Sequence, residues 1–200
     1  MTVTAVALSI LIIGDSITNG MMPYLPAAFQ AVLPAATVYV EAEDGTGTRS
    51  WLHGGRLRAL VDARRPDLVV VGLGTNDEGR EGTESYRSDV EALARDARRH
   101  GASLVWIGPY QADASGQARF RDIRSVLPGS AVDGVGLAQG LERAADGIHL
   151  RMPSYRTLAE RLARTVAGRA PAESMVGPAV VAVLVGASLA VLGAWLAGRS

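Results

Sequence analysis

Four short motifs carry the residues of this chain that could do chemistry: Gly14-Asp15-Ser16, Gly45-Thr46-Gly47, Gly74-Thr75-Asn76-Asp77 and Asp146-Gly147-Ile148-His149. A serine hydroxyl is a weak nucleophile until a base takes its proton. Ser16 directly follows an apolar run, so a strand end would present its oxygen. The backbone N–H groups of the turn after it could then face a developing oxyanion. Of the three histidines, His53, His100 and His149, only His149 has an acid close before it in a glycine-containing loop. Asp146 could hold the imidazole through Nδ1–H and leave Nε2 for Ser16. Asn76 offers a side-chain NH2, which can donate to an oxyanion where a carboxylate could not. Gly47 offers a backbone N–H with no side chain in front of it. Asp15 and Asp77 fit the bracing of these loops and are given no step. Together the motifs supply the parts of an acyl-transfer site, and in this order they point to a serine hydrolase.

Positioning such distant residues needs a frame in which several loops meet. Apolar runs at residues 6–13, 37–40, 68–73 and 103–107 have the composition of buried strands, and 131–135 suits a short fifth. Between them lie helical stretches at 25–33, 51–65, 83–99, 117–127 and 153–166, several bounded by proline or glycine. Tyr86, Val90, Leu93 and Ala97 form the apolar stripe of the helix at 83–99. This alternation predicts a parallel sheet with helices on both faces. In such sheets, sites form where strand C-termini meet loops. Three motifs follow a predicted strand and the fourth precedes the last helix, so all four converge on one edge.

The motifs resemble those of the SGNH, or GDSL-type, hydrolase superfamily, which is named for a Ser, a Gly, an Asn and a His in four sequence blocks. Gly14-Asp15-Ser16 is similar to the first block, Gly74-Thr75-Asn76-Asp77 to the third, and Asp146 to His149 to the Asp-x-x-His block. The second block departs from the usual asparagine-containing Gly-x-x-Gly turn: here it reads Glu43-Asp44-Gly45-Thr46-Gly47. Gly47 is taken as its glycine, with Gly45 as the alternative. The resemblance covers roughly residues 5–168. It implies a flavodoxin-like three-layer α/β/α sandwich with about five parallel strands, and hydrolysis of esters or thioesters without metal or cofactor. It also implies Ser16 as nucleophile, His149 as base and acid, Asp146 as orienter, and an oxyanion hole of the Ser16 and Gly47 N–H groups and the Asn76 amide.

Composition narrows the remaining classes. Of 200 residues, 48% are hydrophobic, enough for a core, and the formal net charge is zero, so no strong field would draw nucleic acid. There is no cysteine, which excludes disulfides, thiolate zinc sites and cysteine nucleophiles. All basic residues other than histidine are arginine. Residues 176–197, VGPAVVAVLVGASLAVLGAWLA, lack any charge and any polar face, and their length matches the ~20 residues needed to cross a bilayer. The sequence thus divides into a hydrolase domain at 1–168, a linker at 169–175 and a transmembrane helix at 176–197. The first apolar run has no basic n-region and no cleavage site, so it reads as a strand and not a signal peptide. Arg156, Arg161, Arg164 and Arg169 precede the membrane segment and only Arg199 follows it, which places the catalytic domain on the cytoplasmic side. Substrates would be small-molecule or lipid esters. Two alternatives stay open: an acyltransferase or deacetylase acting on a carbohydrate or lipid, and an inert membrane-tethered binding module.

Overall fold

In a computed structural model of the chain, which describes residues 8–169, five strands form one sheet: β1 (Ser9–Gly14), β2 (Thr37–Ala42), β3 (Leu68–Gly72), β4 (Ser103–Ile107) and β5 (Ala131–Val132). Their order is β2-β1-β3-β4-β5 and every pairing is parallel. This is the flavodoxin-like order, in which the chain reverses direction across the sheet beside its first strand. The expected parallel sheet with flanking helices is therefore what the chain forms. The register aligns Gly14 with Ala42 on one side and with Gly72 on the other. The loops that leave these three strands are consequently neighbours.

The strands are apolar on both faces because helices cover both. On one face Ile10, Ile12, Leu68, Val70, Val105 and Ile107 pack with α1 (Ser16–Met21), α2 (Leu25–Val32) and α8 (Met152–Ala167). On the other, Leu11, Ile13, Val69, Val71, Leu104 and Trp106 pack with α3 (Thr48–Leu52), α4 (Arg56–Arg64), α5 (Glu84–Ala97) and α6 (Ala114–Val126). Alternate residues of one strand thus serve two cores, which is why the strands read as continuous apolar runs and not as alternating ones. The expected stripe of Tyr86, Val90, Leu93 and Ala97 on α5 is fully buried.

Several details differ from the sequence reading. The helix expected over 51–65 is broken in two by a short 3-10 turn, His53–Gly55, where Gly54 and Gly55 have φ of 77° and 66°. Those left-handed backbones end α3 and restart the chain as α4. Residues 16–21, expected as a turn, form α1. The fifth strand spans only two residues before Asp133 caps a further short helix, α7 (Gly134–Leu137), by accepting a 3.0 Å bond from the Val135 N–H. α6 begins at Ala114, three residues before the expected start, because Asp113 caps it through the Gly116 N–H. Among the described residues no helix is long and apolar enough to cross a membrane, and the span expected at 176–197 lies outside them.

Candidate active site

β1 ends at Gly14, and Asp15 turns the chain into α1 by acting as its N-cap: its Oδ1 accepts a 3.0 Å bond from the Ile17 N–H. Ser16 is therefore the first helical residue, with its hydroxyl above the C-terminal edge of the sheet. The turn is tight. A Cβ on Gly14 would stand 1.9 Å from the Thr18 hydroxyl and 2.9 Å from the Gly72 carbonyl, so no side chain fits there. Asp15 itself is 1% exposed. Burial raises its carboxyl pKa to about 6, against the opposing pull of the Ile17 and Thr18 N–H groups and the Thr75 hydroxyl.

Residues 133 positions apart meet at Ser16: its Oγ lies 2.8 Å from His149 Nε2. The other imidazole nitrogen, Nδ1, lies 2.7 Å from Asp146 Oδ2. The second carboxylate oxygen, Oδ1, accepts 2.9 Å bonds from the Ile148 and His149 N–H groups, so the loop folds back on its own acid. Gly147 has the φ of 70° that this turn requires. The hydrogen bonds from His149, Ile148 and the His149 backbone hold the Asp146 carboxyl at about 2, below its usual range. An alcohol, an imidazole and an ionised carboxylate are thereby linked in one line. Such a line lets the imidazole take the alcohol's proton while the carboxylate steadies the ring. Both the His149 and Asp146 side chains are about two-fifths to one-half exposed, at 40% and 47%.

The second and third motifs are joined to each other. Asn76 Nδ2 donates to the Thr46 carbonyl at 3.0 Å. Asp77, 2% exposed, accepts from the Thr48 N–H at 3.0 Å and from the Thr48 hydroxyl at 2.7 Å, and it pairs with Arg80 at 3.2 Å. This clamp starts α3 at Thr48, three residues before the position expected from the apolar pattern. The two candidate glycines part company here. Gly45 has φ of 72° with open space around it, inside a turn closed by the Thr46 N–H and the Glu43 carbonyl. Gly47 sits just before α3, its N–H engaged only by a long 3.4 Å bond to Ser50 Oγ, and a Cβ on it would come within 2.7 Å of Asp77 Oδ1. Asn19 of α1 donates at 2.9 Å to Asp44, which ties the Ser16 helix to this loop.

One contributor escaped the sequence reading. Arg143 donates to the Gly147 and Ile148 carbonyls at 3.3 and 2.9 Å, and to the Tyr110 carbonyl at 2.7 Å. Together with the antiparallel bridge between Arg143 and Leu150, it staples the Asp146–His149 loop shut. No spacing rule distinguishes this arginine from its many neighbours. The two other histidines stand apart. His53 is exposed at the end of α3, and His100 bonds Asp62 and Arg65 at the far edge of the sheet. A cleft of about 410 Å³ adjoins Asp146, lined by Gln111, Asp113, Arg143 and Ile148. A larger groove of about 580 Å³ runs between α2 and α8 and touches none of Ser16, Asp146 or His149.

A family model described as GDSL-like lipase/acylhydrolase matches residues 12–150. The fold is similar to that of a lipase/acylhydrolase from Enterococcus faecalis, with 22% identity over 82% of this chain and 97% of that one and a TM-score of 0.64. It is similar to TesA, at 25% identity over 80% and 99% of the two chains and a TM-score of 0.66. It is also similar to a catalytic mutant of Axe2, an acetylxylan esterase from Geobacillus stearothermophilus, at 18% identity over 82% and 95% and a TM-score of 0.66. No curated protein sequence matches. The family match extends over more than half of the chain and takes in all four motifs, so the chain belongs to the GDSL-like lipase/acylhydrolase family and is an ester-hydrolysing enzyme.

Proposed function

We propose that the chain cleaves carboxylic esters or thioesters through a seryl acyl-enzyme. The observation that carries this reading is the 2.8 Å approach of His149 Nε2 to Ser16 Oγ, with Asp146 2.7 Å behind the ring. Ser16 Oγ attacks the substrate carbonyl carbon and His149 Nε2 takes the hydroxyl proton. The carbonyl oxygen becomes an oxyanion, which the Ser16 and Gly47 N–H groups and the Asn76 amide stabilise. The intermediate collapses, the C–O or C–S bond breaks, and His149 passes the proton to the leaving group. Water then attacks the acyl-serine, its proton going to His149 and from there back to Ser16 Oγ as the acid leaves. Asp146 stays ionised throughout and stabilises the imidazolium. Gly47 is preferred over Gly45 because its α-carbon stands against the backbone of Asn76, a Cβ there lying 3.3 Å from the Asn76 carbonyl, and its N–H makes only the long bond to Ser50, whereas Gly45 has open space around it.

Residues 176–197 anchor this domain to a membrane, with residues 1–168 as the hydrolase domain on the cytoplasmic side. The uncharged run and the excess of arginine before it support this part of the reading. The test of the chemistry is labelling by a fluorophosphonate and turnover of short p-nitrophenyl esters. Ser16→Ala is expected to abolish labelling and to lower kcat by ~10⁴-fold or more with the fold intact by circular dichroism. Near-normal turnover in Ser16→Ala would remove the serine from the mechanism.

A further inference from the structure

The point at which the domain hands the chain to residues 170–200 is set by α8. Its first turn is at the site: His149, three residues before Met152, touches Ser16, and the Tyr155 ring fills the space beside Gly20 of α1. α8 then runs alongside α2 in the same direction. Arg156 stacks over Tyr24, just before α2, at 5.5 Å, and Arg164 lines the same groove as Val32 in the last turn of α2. α2 leads to the strand-start edge, where the Thr37 N–H bonds the Leu8 carbonyl, and Val166 packs in one cluster with Leu8 and Ala36. Sixteen helical residues, a rise of ~24 Å, therefore separate the site edge from the edge where the chain leaves.

Charge is sorted along the same axis. The departure edge carries exposed Arg65, Arg95, Arg98, Arg124, Arg164 and Arg169, at or just beyond the C-terminal ends of α4, α5, α6 and α8. Its acids are fewer, and two are engaged: Asp62 by Arg99 and His100, Asp67 by the Ser9 N–H. The site edge is mixed: Glu43, Asp44, Glu78, Asp113, Glu142 and Asp146 stand there with Arg49, Arg80, Arg143 and Arg151, and Arg56 pairs with Glu43. The formal net charge is zero, so the arginine excess at the departure edge is balanced by acids elsewhere in the chain.

We infer that the arginine edge docks on an anionic bilayer surface, so that the Ser16 site opens away from the membrane and takes esters that arrive from water, not acyl chains of the supporting bilayer. This rests on the reading of 176–197 as an anchor. Guanidinium groups within a Debye length of anionic headgroups are attracted, and the site edge, where acids and arginines are mixed, gains no comparable attraction. The six residues 170–175 reach at most about 21 Å when fully extended, less than the length of α8, so the tether favours the same orientation.

The chain has no cysteine, so single labels are easily placed. The full chain carrying either Ala35→Cys, in the exposed turn after α2, or Ala112→Cys, beside the site, is labelled with a fluorophore. It is then reconstituted into vesicles of phosphatidylcholine and phosphatidylglycerol that carry a headgroup quencher. The label at position 35 is expected to be quenched several-fold more than that at 112. The excess should shrink in phosphatidylcholine alone, or when Arg98→Glu and Arg124→Glu are added, while turnover of a soluble ester stays unchanged. The vesicle lipid should release no fatty acid. Equal or inverted quenching, or lipid cleaved as readily as the soluble ester, overturns the orientation with the anchor intact. Failure of the unlabelled full chain to float with either vesicle overturns the anchor itself, and the docking with it.

Discussion

Asp15 is the most costly side chain near the site. It stands next to Ser16, nearly fully buried, and its Oδ2 and the adjacent Thr75 hydroxyl both lack a well-formed hydrogen bond. Its carboxyl pKa in the fold, about 6, exceeds the ordinary 3.8 because burial penalises the charge. As pH rises past 4 the unfolded chain releases this proton first, and the folded chain keeps it until about pH 6. The unfolded state then binds fewer protons, so this group's contribution to stability falls between those values, by about 3 kcal/mol once both states are ionised. Asp15→Asn keeps an oxygen for the Ile17 N–H and removes the charge. It is expected to be more stable than the parent in urea at pH 7.5, with the difference vanishing near pH 4. An equal difference at both pH values would mean that Asp15 is not held protonated by burial. The two glycines make a second test at this scale. Gly45→Ala puts a β-carbon on a left-handed backbone, at a cost of ~1–2 kcal/mol, with open space around it and little expected change in kcat. Gly47→Ala drives a β-carbon against Asp77, the clamp on α3, and is expected to lower kcat by roughly 10²-fold through the displaced loop. Steady-state kinetics with thermal melts separates the two, and a reversed pattern would make Gly45 the oxyanion glycine.

Elements place these residues, and their legibility in the sequence follows from how each is made. β1, β3 and β4 are covered on both faces, so their apolar runs could be read directly, and the βα alternation gave the sheet and the edge where the motifs meet. α1 was missed because its six residues contain Thr18, Asn19 and Gly20, and it holds together by the Asp15 cap and by burial of Ile17 and Met21. The break between α3 and α4 lay in Gly54-Gly55, a pair whose left-handed backbone no apolar pattern records. Ser16, Asp146 and His149 could be singled out because each type is chemically distinctive and stands in a short motif beside a glycine and an acid. Arg143 was not, because its work is to fill three backbone carbonyls that only folding brings within reach. Those bonds hold the loop that carries both Asp146 and His149. Arg143→Ala is expected to lower kcat by about 10- to 100-fold while KM changes little, since the loop loses its position and not its reacting groups. Arg143→Lys, which can replace one bond but not the fork, should recover only part of the rate. A loss confined to Tm, with kcat unchanged, would reduce Arg143 to a stabilising role.

At the scale of the whole molecule, the described residues supply both cores up to the end of α8. Among the described residues Val166 is the last side chain in either cluster, and both clusters are otherwise built from residues 8–163. α8 seals one face of the sheet through Tyr155, Leu158, Leu162 and Val166, so a cut inside it would expose the strands it covers. A cut after Arg169 removes none of these contacts, and it leaves intact the bond from Arg169 to the Ala131 carbonyl at 3.3 Å. Residues 1–169 are therefore expected to fold with the melting temperature of the full chain and to keep its kcat/KM on a soluble ester. Flotation with vesicles, by contrast, should be lost, because the apolar run goes with the removed segment and the arginine edge alone gives only a salt-sensitive attraction. A shorter cut after Ala159 removes Leu162 and Val166 and is expected to lower stability by several kcal/mol, at ~1.5–3 kcal/mol for each large apolar side chain withdrawn. Melting curves, ester kinetics and flotation on the same three proteins decide the matter. If cutting after Arg169 cost as much stability as cutting after Ala159, residues 170–200 would belong to the packed structure and not to a separate anchor.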